Sequence, residues 1–173
     1  MAQLQIKFAE NEDIETIAKL LKKCFSGHNV FSKSILEVTA YCRDLHNNNK
    51  GKSGGFLIAV AGKIIVGTVL VQNRLLDEKT NHSLWKVNHL VVHPTFRRKG
   101  VGSTLLETAE RHVNSFLKAQ GIKTAKVEGT VSEREKPIMN LYRKYGAKVE
   151  GVLGNHYRYK EKAYIMGKTI KVF

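Results

Sequence analysis

The sequence predicts a mixed α/β fold, with a mostly antiparallel central sheet of about seven strands flanked by about four helices. Three observations predict it. Short apolar/polar alternations recur along the chain and are punctuated by turn residues, as in Gly62-Lys63 between Phe56–Ala61 and Ile64–Val71. Longer runs carry apolar residues at helical spacing. In the middle, a strand pattern, a long helix pattern and a second strand pattern follow directly, which implies a parallel pair with a crossover helix.

The elements follow in order. Leu4, Ile6 and Phe8 alternate as a first strand. Asn11 is placed to cap a helix carrying Ile14, Ile17, Ala18, Leu20, Leu21, Cys24 and Phe25. Ser32 or Ser34 opens a second helix with Ile35, Val38, Tyr41, Cys42 and Leu45. Asn47–Gly55 reads as a polar loop, and the hairpin comes next. Asp77–His82 is a second polar stretch, leading into a strand over Leu84–Val92. A helix over about Val101–Ala119 buries Leu105, Leu106, Ala109, His112, Val113 and Phe116, and Gly121 ends it. Thr124–Val131 is a strand. Pro137 suits the first turn of a short helix that Gly146 ends, and Lys148–Leu153 and Ala163–Val172 are closing strands.

The 173 residues suit a single domain, residues 1–173, with one real core. The formal charge is +14, from 29 basic and 15 acidic side chains. Such a surface attracts polyanions, whether a phosphorylated cofactor, nucleic acid or an acidic membrane; a solubility bias would look the same. Cys24 and Cys42 lie in apolar helical patterns, which points to buried thiols and a reducing, cytoplasmic setting. No apolar run approaches the ~20 residues that cross a bilayer. The histidines show no metal-ligand spacing, so no metal is expected.

The stretch with chemistry in it is His89-Leu90-Val91-Val92-His93-Pro94-Thr95-Phe96-Arg97-Arg98-Lys99-Gly100-Val101-Gly102-Ser103. A buried strand stops at Pro94, and a basic, glycine-bearing loop opens a helix. Helix N-termini expose unpaired N–H groups with partial positive charge, and three cations add to it. The pattern is an anion cradle. It is neither the phosphate loop of the nucleoside triphosphatases nor the dinucleotide fingerprint, whose glycine spacings are absent. A tight turn using glycine for geometry alone is the competing reading, and it does not call for consecutive cations.

His-Leu-Val-Val-His-Pro-x-x-Arg-Arg-Lys-Gly-Val-Gly resembles motif A of the GNAT superfamily of N-acetyltransferases, with Arg97, Gly100 and Gly102 on its signature positions. Ile138–Ala147, with Leu141-Tyr142 and Lys144-Tyr145-Gly146, resembles a second segment of that family, though Glu135 stands where the family often has Asn. Tyr157–Met166 resembles the closing hairpin of the ribosomal-protein and N-terminal amine branch. The resemblance covers residues 84–170 well, and 1–75 by element order only.

The resemblance implies an acetyl-CoA-dependent N-acetyltransferase. Arg97, Arg98, Lys99, Gly100, Val101, Gly102 and Ser103 would hold the cofactor pyrophosphate. Leu90, Val91 and Val92 would hold the pantetheine arm, with a free N–H near Val91 or Val92 polarising the thioester. Tyr142 matches the family's general acid. An amine attacks only when neutral, so a base is needed; the candidates are Glu128 and His89, since Asn88 occupies a position where the family often has Glu. Strand alternation sets His89 opposite Leu90. Tyr157 and Tyr159 would line an acceptor groove for a peptide or protein N-terminal amine, with a polyamine or antibiotic as the alternative acceptor. Members of the family often dimerise. Two other classes stay open: a CoA-binding protein without catalysis, and a basic nucleic-acid-binding module, for which no recognised signature is present.

Overall fold

Gly62, at φ 64°, turns the chain between two of the strands that the alternation marks. These are β2 (Gly55–Ala61) and β3 (Ile64–Asp77), and they pair antiparallel. The computed structural model describes residues 4–25, 28–50 and 53–172. Its other strands are β1 (Leu4–Phe8), β4 (His82–Val92), β5 (Thr124–Ser132), β6 (Lys148–Gly154) and β7 (Lys162–Lys171). Its helices are α1 (Ile14–Cys24), α2 (Ile35–Lys50), α3 (Val101–Gln120) and α4 (Lys136–Lys144). The strands form one seven-stranded sheet in the order β1-β2-β3-β4-β5-β7-β6. β4 and β5 are the parallel pair, joined through α3. The predicted mixed, mostly antiparallel architecture is the one observed.

The chain divides into two compact units. One comprises Met1–Gln72 and His89–Ala109, the other Asn73–Asn88 and Glu110–Phe173. In the first, Ile14, Ile17 and Leu21 of α1 and Val38 and Cys42 of α2 bury against Phe56 and Ile58 of β2 and Leu70 of β3. Each such side chain contributes about 1.5–3 kcal/mol by leaving water. In the second, Trp85 and Val87 of β4, Val113 and Leu117 of α3, Val127 of β5, Tyr142 of α4 and Met166 of β7 are buried. His112 and Phe116 set their rings edge-on to Trp85, with centroids 6.1 and 5.4 Å away.

Three boundaries differ from the sequence reading. Asn11 does not cap α1: residues 11–13 form a 3-10 turn, closed by reciprocal side-chain bonds of Glu10 and Asp13. Ser34 opens α2, exchanging bonds with Glu37. That helix runs through Asn47–Lys50, which read as loop. Asn49 is buried there and donates to the Leu45 carbonyl at 2.6 Å, so packing overrides weak helix propensity. β3 extends to Asp77, whose carboxylate accepts the Lys79 and Thr80 amides and so holds the turn into β4.

Candidate active site

The cradle lies in the first unit. After β4, residues Pro94–Phe96 make one 3-10 turn and Arg97 is extended. Arg98 and Gly100 are left-handed, at φ 63° and 83°. Open space surrounds the Cβ position of Gly100, so glycine is there for its dihedral and leaves the approach clear. The Gly100 carbonyl accepts the Thr104 amide at 3.0 Å, the first bond of α3. The amides of Val101, Gly102 and Ser103 therefore occupy the helix's first turn, which holds no acidic residue. Arg97 Nε donates to the Val92 carbonyl at 3.0 Å, and Lys99 lies over the Phe96 ring at 5.3 Å. Arg97, Arg98, Lys99 and Gly100 are all exposed. Among the described residues no acid pairs with these cations. Open backbone, a helix N-terminus and unmatched cations together fit a pyrophosphate.

The strand ahead of the cradle is irregular. Along β4, Ser83, Trp85 and Val87 are buried in alternation; then Asn88 and His89 are both half-exposed, and Leu90 and Val91 both buried. The slip occurs at His89, which is left-handed at φ 52°. The regular alternation of β4 is interrupted there, with His89 half-exposed and Leu90 buried. His89 Nε2 lies 3.0 Å from the Tyr41 hydroxyl, and the Phe31 and Tyr41 rings stand edge-on to the imidazole at 5.3 and 5.8 Å. The His93 amide donates to Val66 of β3 at 2.8 Å. The Leu90 and Val92 amides therefore point away from β3, and the Val91 amide points towards it.

Tyr142 lies in the second unit. The β4–β5 ladder runs from His82–Thr124 to Lys86–Glu128. One residue beyond it, the Tyr142 hydroxyl donates to the Val87 carbonyl at 3.2 Å. A Cβ on Gly129 would lie 2.6 Å from that hydroxyl oxygen, so only glycine leaves room for the phenol. Burial, reinforced by Tyr157 and Glu135, holds the Tyr142 phenol well above its ordinary value, so it stays protonated at neutral pH.

Glu128 stands on the other face of β5. Gly129 faces Tyr142, successive strand residues alternate, and Glu128 shares its face with Lys126, which pairs with Glu150 of β6. Glu135 precedes α4 and accepts the Ser132 amide at 3.3 Å; burial raises its carboxyl.

The segment between β6 and β7 is tied from below by Glu161, 2% exposed. Its carboxylate accepts from Ser132, from Arg158 at 2.8 Å and from Arg134 at 3.0 Å. Tyr157 donates to the Thr130 carbonyl at 3.2 Å, and burial pushes its phenol up to about 12. Tyr159 is 80% exposed with Lys160 over its ring. Of the two expected acceptor-groove tyrosines, one is held in the scaffold and one is exposed with a lysine over its ring.

Sequence reasoning named none of Tyr41, Gly129 and Glu161 as site residues. An isolated glycine inside a strand pattern was the available signal for Gly129. Tyr41 gains its partner from 48 positions away, and Glu161, besides the nearby Arg158, gains Ser132 from 29 positions away, which no local pattern reports. Cys24 and Cys42 are free thiols, Cys42 buried with its thiol pushed up to about 12. Among the described residues no helix is long and apolar enough to cross a membrane, and no three potential metal ligands cluster.

A phosphate cradle on the helix that follows the parallel strand is the fitting an acyltransferase needs for a nucleotide-tailed acyl carrier. The family model of the acetyltransferase (GNAT) domain matches residues 52–146, more than half of the chain, and the chain belongs to this family. Similar solved structures include Ard1 from Thermoplasma volcanium, at 21% identity and TM-score 0.72, covering 96% of this chain and 97% of that one. Another is the PaiA N-acetyltransferase of Thermoplasma acidophilum in complex with coenzyme A, at 20% identity and TM-score 0.69, covering 97% and 99%. A third is the ribosomal-protein-S18-alanine N-acetyltransferase of Escherichia coli, at 18% identity and TM-score 0.69, covering 99% and 96%. No curated protein is matched by sequence.

Proposed function

We propose that this protein transfers the acetyl group of acetyl-CoA to the N-terminal amine of a peptide or protein. The observation behind the reading is the exposed Arg97–Ser103 cradle, with its left-handed Gly100 and cations that no described acid neutralises. Coenzyme A presents a pyrophosphate to such a cradle and leaves its thioester to run back along β4. There the Val92 amide is the donor for the carbonyl oxygen as negative charge develops on it.

Tyr142 is the proton donor to the leaving sulfur. Its phenol stays protonated, and its 3.2 Å bond to Val87 is long enough to be exchanged for a bond to a thiolate. The acceptor class rests on the segment between β6 and β7, where Tyr159 offers a flat exposed ring on a loop anchored by Glu161. The similar E. coli structure is named for acetylating an alanine of a ribosomal protein, which is an acceptor of this class.

The test is free-thiol release from acetyl-CoA with a panel of short peptides bearing free or blocked N-termini, and with spermidine as the small-molecule arm. Turnover that needs the free peptide N-terminus supports the reading. Turnover with spermidine alone overturns the acceptor class, and acetyl-CoA binding without turnover on any amine overturns the enzyme reading.

A further inference from the structure

A left-handed non-glycine residue inside a strand is uncommon. For His89 the φ of 52° is disfavoured against an extended conformation. The fold over-determines it: β4 continues on both sides, and the imidazole is fixed from outside the strand. Phe31, fully buried, sets its ring perpendicular to the imidazole at 5.3 Å. Phe25 adds an edge at 6.5 Å, and Tyr41 of α2 brings its hydroxyl to Nε2 at 3.0 Å. Strain kept in this way, one residue before the strand segment expected to carry the thioester, is a mark of a working position.

We propose that Tyr41 and His89 form the proton relay that deprotonates the acceptor amine. The inference rests on the acetyltransferase reading given above. An α-amino group with its ordinary value near ~7.7–8.0 is mostly protonated at neutral pH, and a protonated amine is no nucleophile. The acceptor ammonium gives one proton to the Tyr41 oxygen while the Tyr41 hydroxyl proton passes to His89 Nε2. The freed nitrogen then bonds to the acetyl carbon and the carbon–sulfur bond breaks. The departing thiolate takes the Tyr142 proton, the new amide nitrogen returns its surplus proton to that phenolate, and the imidazolium releases one proton to water. The sum is one amide, one thiol and one proton.

The surroundings fit a relay. Burial holds the Tyr41 phenol above its ordinary value, so it gives up its proton only as it receives another. An imidazole, with its ordinary value near ~6.5, is the side chain suited to hold that proton at neutral pH. Tyr41 of α2 brings a titratable hydroxyl to it, with Cys42 beside that tyrosine, and His28 packs on the Phe31 ring at 5.2 Å.

The test uses Tyr41→Phe, which keeps the ring, and His89→Asn, because asparagine tolerates the left-handed backbone. Acetyl transfer is followed from about pH 6 to 9, with acetyl-CoA affinity and thermal unfolding read on the same samples. The expected result is a loss in kcat/KM of about 100-fold for His89→Asn and at least tenfold for Tyr41→Phe. The ascending limb of the pH profile should move up to that of the amine itself, with acetyl-CoA affinity unchanged. Wild-type rate and profile in either variant would overturn the relay, as would losses that track a fall in acetyl-CoA affinity or melting temperature. A limb that vanishes in Glu128→Gln while both relay variants keep it would give the role to Glu128. A wild type that binds acetyl-CoA but acetylates no amine would instead overturn the enzyme reading.

Discussion

The Arg97–Ser103 and Asn155–Lys162 segments are both cationic, and both turn through left-handed residues: Arg98 and Gly100 in the first, Asn155 and Lys160 in the second. They differ in where the nearest acid lies. In the second, Arg158 is tied to the buried carboxylate of Glu161 and Arg134 joins it, while the Asn155 amide donates to the Glu161 carbonyl and the Asn155 side chain accepts the Lys160 amide. One buried carboxylate answers both arginines within the fold, and the result is a shaped loop that holds Tyr157 and displays Tyr159. In the first, among the described residues no acid answers the cations, and the Gly100 backbone is open to solvent. Similar composition thus carries paired charge in one place and unpaired charge in the other, and the buried acid is what tells them apart.

The largest effect should come from filling the cradle. Gly100→Glu with Gly102→Glu puts carboxylates and side chains where the helix N-terminus faces phosphate, and acetyl-CoA affinity measured by calorimetry should fall at least 100-fold. An unchanged affinity would break the contrast between the two loops. Tyr142→Phe should come next: about 10²–10³ in acetyl-transfer rate, with acetyl-CoA affinity retained. Gly129→Ala sharpens the same point without touching the phenol. Its new methyl meets the Tyr142 hydroxyl and the Val87 carbonyl, so stability should drop by about 1–3 kcal/mol in chemical denaturation and transfer should fall with it.

Glu161→Gln tests the scaffold loop. Ser132, then Arg158 and Arg134, hold the Glu161 carboxyl below its ordinary range. The stabilisation from a depressed carboxyl is present above the unfolded value of ~4.3 and is lost as pH falls through the folded value. The variant should melt about 4–8 °C lower at neutral pH, and the gap should close under acid. Its KM for the acceptor peptide should rise more than its kcat falls, because the loop shapes the groove and takes no part in proton transfer. The smallest effect has the opposite sign. Burial raises Glu135, and a raised carboxyl favours the fold only below its unfolded value, so its charge opposes folding at neutral pH. Glu135→Gln should therefore raise the melting temperature slightly at pH 7 and leave it unchanged below about pH 4.

The fold and the cradle were legible in the sequence because both are local. The hairpin turn at Gly62, the alternation of β5 and the apolar stripe of α3 are each written within a few residues. So are the cations and glycines of Arg97–Gly102, since an anion site at a helix N-terminus needs only a strand end, a turn and the first helical amides. The Leu141-Tyr142 segment was legible for the same reason, as a short pattern on one helix.

The tertiary structure decided what depends on distant partners. The left-handed turn at His89 interrupts an alternation that the sequence shows as regular, and it is held by Tyr41 and Phe31 from α2 and the segment before it. That the β4–β5 ladder ends at Lys86–Glu128, and that the Tyr142 phenol fills the space at Gly129, depends on a helix and two strands meeting at one backbone carbonyl. Glu161 reads as one more surface charge until the fold removes water from it and sets two arginines and a serine around it. Side-chain chemistry and local backbone preference are properties of a few consecutive residues, and the sequence alone determined those. Desolvation, strain and charge pairing are properties of what surrounds a residue in space, and only the packed chain supplied them.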